Sequence, residues 1–315
     1  MTSTASPQSD SRGVGRGNGK TVLLGEHAVV YGMPAIAAGI SLGASARATP
    51  SNASSIRIAE RSAHAGDGSE LSAALEQICR ALGTGPQHVE VDVTLPLGSG
   101  LGGSAAIGVA VARALLSGLG EAETRARVLE GANAWEQVFH GNPSGVDAAA
   151  AYAGGCIWFT KAGGPEPLFV AVPLKLAICL AGPPASTKQM VESVARLGER
   201  RPDLLGKSLA GIESLVKNAR LCIEAGDTSG LGQLMNYNQM LLAGLFLSTN
   251  EVERACAVAR EAGALGAKLT GAGGGGAVIA LADQSAEPIE AAFRAAGFTA
   301  FSTEIAASSL LGARP

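Results

Sequence analysis

Aromatic anchors are few: Phe, Trp and Tyr together make up 4% of the 315 residues, so the core has to be built from closely packed Ala, Val, Leu and Ile. Charge is thin as well. With 16% charged residues, a net charge of −3 and no cluster of Lys or Arg, the chain offers neither a nucleic-acid surface nor a polybasic membrane patch, and a phosphorylated ligand has to be held locally. The longest apolar stretches, such as Ala148 to Phe159, are too short and too rich in Ala and Gly to span a bilayer. The five cysteines, Cys79, Cys156, Cys179, Cys222 and Cys256, are odd in number and never spaced Cys-x-x-Cys, which reads as buried free thiols. Together with four isolated histidines they leave no structural zinc site. No Gly-x-x-x-x-Gly-Lys-[Ser/Thr] occurs, which removes the P-loop, and no internal repeat is present. Residues 1–19 are rich in Ser, Thr, Gly and Arg without the apolar core of a signal peptide. They read as a disordered tail, and a cytoplasmic location is expected.

What is present is an apolar share of 47%, enough for one large or two ordinary domains. Short apolar runs at Thr21 to Leu24, Ala35 to Ile40 and Ser55 to Ala59 predict strands, and Leu71 to Leu82 predicts a helix. Val89, Val91 and Val93 alternate with Glu90, Asp92 and Thr94, the period of a half-buried strand. A long apolar helix is expected from Ala105 to Leu119 and a second from about Glu121 to His140, where Val128, Ala132, Trp135 and Phe139 form a stripe with Glu136 at its margin. Strands follow at Gly155 to Thr160 and Lys175 to Leu180, around a Gly/Pro-rich connection at Ala162 to Pro167. Beyond Ser186 come helices at 187–198, 203–225, 229–246 and 250–263, strands at Ala267 to Thr270 and Ala277 to Leu281, a further helix, and a closing strand at Thr299 to Ile305. Strands first and helices later predict an α+β protein of two domains, residues 20–180 and 181–315.

Between Pro96 and Ala106 the chain reads Pro-Leu-Gly-Ser-Gly-Leu-Gly-Gly-Ser-Ala-Ala and runs straight into the first long helix. Glycines let successive N–H groups point inward, and the helix behind them adds its unsatisfied first-turn N–H groups, so the junction suits a phosphate. Gly98-x-Gly100-x-x-Gly103 and Gly271-x-Gly273-x-x-Gly276 both match a dinucleotide fingerprint. Roughly one such match is expected by chance at this glycine content, so spacing alone decides little. Several polar residues interrupt apolar surroundings. Lys20 is either a solvated strand end or a functional cation; Glu26 and His27 either face solvent or are held by partners inside. Ser104 is a helix N-cap or a magnesium ligand, and Glu136 a surface acid or a second ligand. Asp147, past the Asn142-Pro143-Ser144-Gly145 turn, either complements a helix dipole or receives a hydroxyl proton during phosphoryl transfer.

Four segments taken together resemble the GHMP kinases: Gly19-Lys20 through Gly25-Glu26-His27-Ala28-Val29-Val30-Tyr31-Gly32; Pro96 to Ala106; Glu136 through His140-Gly141-Asn142-Pro143-Ser144-Gly145-Val146-Asp147; and Lys268-Leu269-Thr270-Gly271-Ala272-Gly273-Gly274-Gly275-Gly276. Order, spacing and local structure agree from about Lys20 to the end of the chain, and the first and third segments are most similar to the mevalonate-phosphorylating members. The resemblance implies a two-domain fold, with an N-terminal ribosomal-protein-like α/β domain and a C-terminal ferredoxin-like α+β domain. It implies ATP-dependent phosphorylation of the primary hydroxyl of mevalonate, in isoprenoid precursor synthesis. Gly98, Ser99, Gly100, Leu101, Gly102, Gly103 and Ser104 would hold the ATP phosphates, and Ser104 with Glu136 would hold Mg2+. Asp147 and Lys20 would be catalytic, and Glu26, His27, Thr187 and Gly273 would line the substrate. Dimerisation, common in the family, is a further implication. The chain departs from the family pattern at Gly103, usually the first of two serines, so Ser104 alone supplies the hydroxyl; at Asn18, usually proline; and at Leu180-Ala181, where many relatives have Asp-Thr. Two other readings are weighed: a GHMP kinase acting on phosphomevalonate, homoserine or a sugar, and a nicotinamide-dependent oxidoreductase built on Gly98, Gly100 and Gly103. The second lacks a following βαβ unit, and only Glu121 and Glu123 lie near the distance at which a ribose-binding acid belongs.

Overall fold

The structure is a computed structural model describing residues 12–140, 144–183 and 185–308. In chain order the elements are β1 (Gly13–Leu24), a 3-10 turn (Ala28–Tyr31), β2 (Ala35–Pro50), β3 (Ser55–Ile58), β4 (Arg61–His64), α1 (Glu70–Leu82), β5 (Gln87–Val93), α2 (Gly103–Gly118), α3 (Arg125–His140) and α4 (Val146–Ala153). Then follow β6 (Cys156–Thr160), β7 (Gly164–Pro167), β8 (Leu174–Leu180), α5 (Thr187–Arg200), α6 (Pro202–Ala225), α7 (Thr228–Gly244), α8 (Asn250–Glu261), β9 (Gly266–Thr270), β10 (Ala277–Ala282), α9 (Glu287–Ala295) and β11 (Thr299–Ile305). The mixture of helix and strand is the expected α+β class. The described residues fall into two compact units, neither a continuous stretch: residues 12–17, 43–94 and 104–140 belong to one, and residues 18–42, 95–103, 144–183 and 185–308 to the other.

In the first unit the strands run in the order β4-β3-β5-β2. Antiparallel pairing sets Ala44 of β2 against Val93 of β5, and parallel pairing sets Ile56 of β3 against Val89. The alternation read at residues 89–93 is therefore the β5 pleat, with Val89 and Val91 buried. Ser69 caps α1 by accepting from the Ser72 N–H, and Gly83 ends it in a left-handed C-cap. Trp135 of α3 is 1% exposed, one of the few large anchors the composition allows, and its ring lies 5.5 Å from that of Phe139.

One expectation fails here. Residues 13–19 are the start of β1, not the end of a disordered tail; residues 1–11 lie outside the described residues. The physical reason is close approach. A Cβ at Gly13, Gly15 or Gly17 would lie 1.9, 2.2 or 2.1 Å from the carbonyl oxygen of Ala114, Ala110 or Ala106. Glycine at every second residue of the strand thus lets its backbone lie against one face of α2, where successive contacts fall four residues apart. Composition alone made the same glycines look like part of a disordered tail.

In the second unit residues 35–38 of β2 pair with β6, Ala35 opposite Phe159, and β6 pairs with β7. The Gly/Pro-rich connection at Ala162 to Pro167 therefore contains a short edge strand, where proline is tolerated. A four-stranded antiparallel sheet follows the order β11-β8-β10-β9, with Val278 opposite both Cys179 and Leu269. Every residue of β9 and β10 is buried, which accounts for the unbroken apolar run of β10, whereas β9 buries Lys268 and Thr270 among its apolar residues. β9 is an edge strand whose outward N–H groups are not left bare: Ala267 donates to the Asn236 side chain of α7, and Leu269 to that of Gln239. Among the described residues no helix is long and apolar enough to cross a membrane, and all five cysteines are free.

Candidate active site

Lys20, expected either solvated or functional, is 4% exposed near the middle of β1, in the second unit. Its ammonium lies 3.1 Å from Asp147 Oδ1, and the Asp147 side chain is 41% exposed. Asp147 stands in the first turn of α4, behind Gly145 with φ 85°; Gly141, Asn142 and Pro143, part of the turn read from sequence, lie outside the described residues. A buried cation beside a half-exposed carboxylate leaves one carboxylate edge open to a ligand.

The glycine loop meets Lys20 directly. The Lys20 N–H donates to the Leu101 carbonyl at 2.8 Å. At Gly102, φ is 75° and an added Cβ would lie 2.4 Å from Lys20 Cγ, so only glycine leaves room for the lysine stem. Ser99, 6% exposed, donates its hydroxyl to the Pro96 carbonyl at 2.6 Å, and Leu101 is fully buried. Both side chains brace the loop, so any phosphate contact from them comes through backbone N–H groups.

His27 and Glu26 turn inward. His27 adopts φ 60°, and its Nε2 lies 2.8 Å from the Ala272 carbonyl. A carbonyl only accepts, so Nε2 carries the hydrogen and Nδ1 is left an acceptor. Burial pulls the His27 pKa below 6.5, against the opposing pull of the Ala272 bond and the Glu26 charge. The folded chain therefore resists a proton that the unfolded chain takes up. The stability this contributes is present above pH 6.5 and is lost as the pH falls from there through the lower folded-state value. Thermal melts of His27→Gln, which keeps an amide donor for Ala272, should show a smaller fall in Tm between neutral pH and pH ~5 than the wild type; an equal fall would contradict the assignment. Glu26 does not present its carboxylate to a ligand. It is 3% exposed, ion-paired with Lys268 and bonded at Oε2 by Asn238 Nδ2 at 3.1 Å. Thr187 is exposed at the start of α5, and Gly273 lies where the Gly274 N–H donates to the Leu247 carbonyl at 2.7 Å. Among the described residues neither shares a hydrogen bond with Lys20, Asp147 or His27.

In the first unit, Ser104 is the second residue of α2 and does not cap it. Its Oγ donates to Glu136 Oε1 at 2.5 Å and accepts from Trp135 Nε1 at 3.3 Å. Glu136, expected at the margin of the α3 stripe, is 3% exposed, with His140 Nε2 3.7 Å from its other oxygen. A hydroxyl and a buried carboxylate in contact form a hard-oxygen pair, which fits magnesium, since Mg2+ takes one or two protein oxygens and completes its shell with phosphates and water. Among the described residues no group of three or more His, Cys, Asp or Glu could hold a metal by protein ligands alone.

Sequence reasoning missed Lys268, Thr270 and Asn238. Thr270 Oγ1 accepts from the Val22 N–H at 2.9 Å and lies 3.1 Å from Thr21 Oγ1, so β9 is bonded to the strand that carries Lys20. The available signal was a lysine inside an otherwise apolar strand just before a glycine run.

Residues 69–155 match the model of the GHMP kinases N terminal domain, and residues 216–298 that of the GHMP kinases C terminal. The mevalonate kinase of Pyrococcus horikoshii is 33% identical over 320 residues, covering 92% of this chain and 95% of that one. The mevalonate kinase of Methanothermobacter thermautotrophicus is 35% identical over 269 residues, 83% and 87% of the two chains. The crystal structure of L. major mevalonate kinase in complex with R-mevalonate matches with a TM-score of 0.85 at 30% identity, covering 97% of this chain and all of that one.

Proposed function

The chain belongs to the GHMP kinases, and on that premise we propose that it transfers the terminal phosphate of ATP to the primary hydroxyl of mevalonate, with Asp147 and Lys20 at the reacting atoms. The observation that carries these roles is the Lys20–Asp147 pair beside the glycine loop. The hydroxyl oxygen attacks the terminal phosphorus, the bond from that phosphorus to the bridging oxygen breaks, and ADP departs with the electron pair. The hydroxyl proton passes to the open oxygen of Asp147 and from there to water. Lys20, fixed at both its backbone and its ammonium, neutralises charge that builds on the transferring group without having to reorganise.

Backbone N–H groups of residues 98–103 would cradle the phosphates, and Ser104 with Glu136 would hold Mg2+. When bound, that ion neutralises phosphate charge and fixes the triphosphate's orientation. His27 Nδ1 would accept a hydrogen bond from mevalonate, while Thr187 and Gly273 remain substrate-lining proposals supported by family position. The domain division at residue 180 is part of the same proposal, supported by the two family models matching on either side of it. A cytoplasmic location is supported by free thiols, three of which, Cys156, Cys179 and Cys256, are pushed by burial to about 12.

A coupled ADP-release assay tests the reading. ADP should form with Mg-ATP and mevalonate and fall to background when mevalonate is omitted or replaced by phosphomevalonate, homoserine or galactose. Faster turnover of any of these three would overturn the substrate assignment while leaving the kinase assignment standing.

A further inference from the structure

The proposed chemistry leaves one buried cation without a task. Lys268, at the centre of β9, is 0% exposed, and its ammonium contacts Glu26 Oε1, the Leu269 carbonyl at 2.5 Å and the Val22 carbonyl at 3.5 Å. The second oxygen of Glu26 is served by Asn238 of α7, also 0% exposed. Only the amide nitrogen can donate to a carboxylate, so the orientation of Asn238 is fixed and its Oδ1 is left buried without a partner among the described residues. Burial pulls the Lys268 pKa down and the Glu26 charge pushes it back. Apolar residues of similar shape commonly replace such a pair without loss of stability. Holding the fold together therefore does not by itself account for three buried polar groups converging from α7, β9 and the connection after β1.

What the triad grips is the turn that carries His27. Glu26 lies between Gly25 at φ 103° and His27 at φ 60°, and a non-glycine residue at such an angle is strained. Lys268 and Thr270 share one face of β9, two residues apart. From that face they hold Val22 by its carbonyl and its N–H, and Glu26 by its carboxylate. Both ends of residues 22–26 are thus tied down between the two residues assigned to chemistry and recognition, Lys20 and His27.

We infer that Lys268, with Glu26 and Asn238, is a positioning device for the phosphoryl acceptor: it holds the turn at residues 25–27, with positive φ at Gly25 and His27, so that His27 meets the substrate. Lys268 is too deeply buried to touch a ligand itself. The inference rests on the proposed function and would fail separately from it.

The test compares Lys268→Met, Glu26→Gln and the double variant with wild type, by thermal melts and by steady-state kinetics with each substrate varied in turn. Lys268→Met leaves a buried carboxylate unpaired and should lower Tm; the double variant, neutral at both positions, should recover most of that loss. In the double variant and in Glu26→Gln, kcat/KM for mevalonate should still fall about 10²-fold, the cost of a displacement of about 1 Å, with KM for ATP within about twofold of wild type. A double variant with wild-type kcat/KM for mevalonate would overturn the inference. So would an equal loss toward both substrates at unchanged KM values, which marks a smaller folded fraction. If Lys268→Met does not fold, Glu26→Gln, which keeps its size, decides by the same split. Wild-type turnover in the same assay reports on the function itself: its absence sinks the kinase reading, whereas its presence with unaffected variants sinks only the positioning role.

Discussion

Asp147→Asn should lose about 10²–10⁴ in kcat, the range for removing a positioned proton acceptor. The amide keeps the shape of the carboxylate, and its oxygen can still accept from Lys20, whose ammonium is 3.1 Å from Oδ1 in the native protein. It cannot take a proton. Asp147→Ala should lose at least as much and also leave the Lys20 cation, with its side chain 5% exposed, without its carboxylate partner, so that variant should melt lower as well. Asp147 itself is 41% exposed, which keeps that stability cost below the one for a fully buried pair. Equilibrium binding of Mg-ATP should change by less than about threefold, or ~0.6 kcal/mol, because the glycine loop does not depend on Asp147 for its backbone geometry. The asparagine variant separates the two causes, because it removes proton acceptance with little change in packing. Wild-type kcat in Asp147→Asn would contradict a proton-accepting role.

Lys20→Met should cost about 10²–10³ in kcat, the loss typical of removing one preorganised donor from developing charge. The structure couples this effect to a residue that carries no chemistry. A Cβ at Gly102 would fall 2.4 Å from Lys20 Cγ, near the base of the side chain, and the φ of 75° disfavours alanine in any case. Moving Cγ moves the ammonium away from Asp147, so Gly102→Ala should reproduce most of the kcat loss of Lys20→Met. It should also weaken ATP, because the loop backbone shifts with it. Gly102→Ala with unchanged kcat would show that the lysine stem has room the structure denies it.

The sequence was informative where a residue's local pattern and its tertiary role agree. Val89, Val91 and Val93 alternate because β5 is half-buried, and β11 was delimited at Thr299 to Ile305 because its flanks punctuate it. The glycine turn running into a helix at Gly103 was legible, and so was Glu136 as an acid beside an apolar stripe. What stayed hidden depended on long-range partners. Gly13, Gly15 and Gly17 resemble a disordered tail until the backbone of α2 is seen against them. Glu26 looked like a ligand contact because nothing local says that a lysine 242 positions away neutralises it. Asn236, Asn238 and Gln239 read as an ordinary polar stretch of helix, yet the first and third close the edge of β9 and the second closes the Glu26 pair.

The central claim is that the mevalonate hydroxyl meets Asp147 in front of a triphosphate held by residues 98–104. A crystal structure of the enzyme with a non-hydrolysable ATP analogue, Mg2+ and mevalonate measures this directly. The account predicts the primary hydroxyl within hydrogen-bonding distance of an Asp147 carboxylate oxygen, about 2.5–3.0 Å, and the terminal phosphorus in line beyond it. A primary hydroxyl turned away from Asp147, with the phosphates bound elsewhere than the glycine loop, would contradict it.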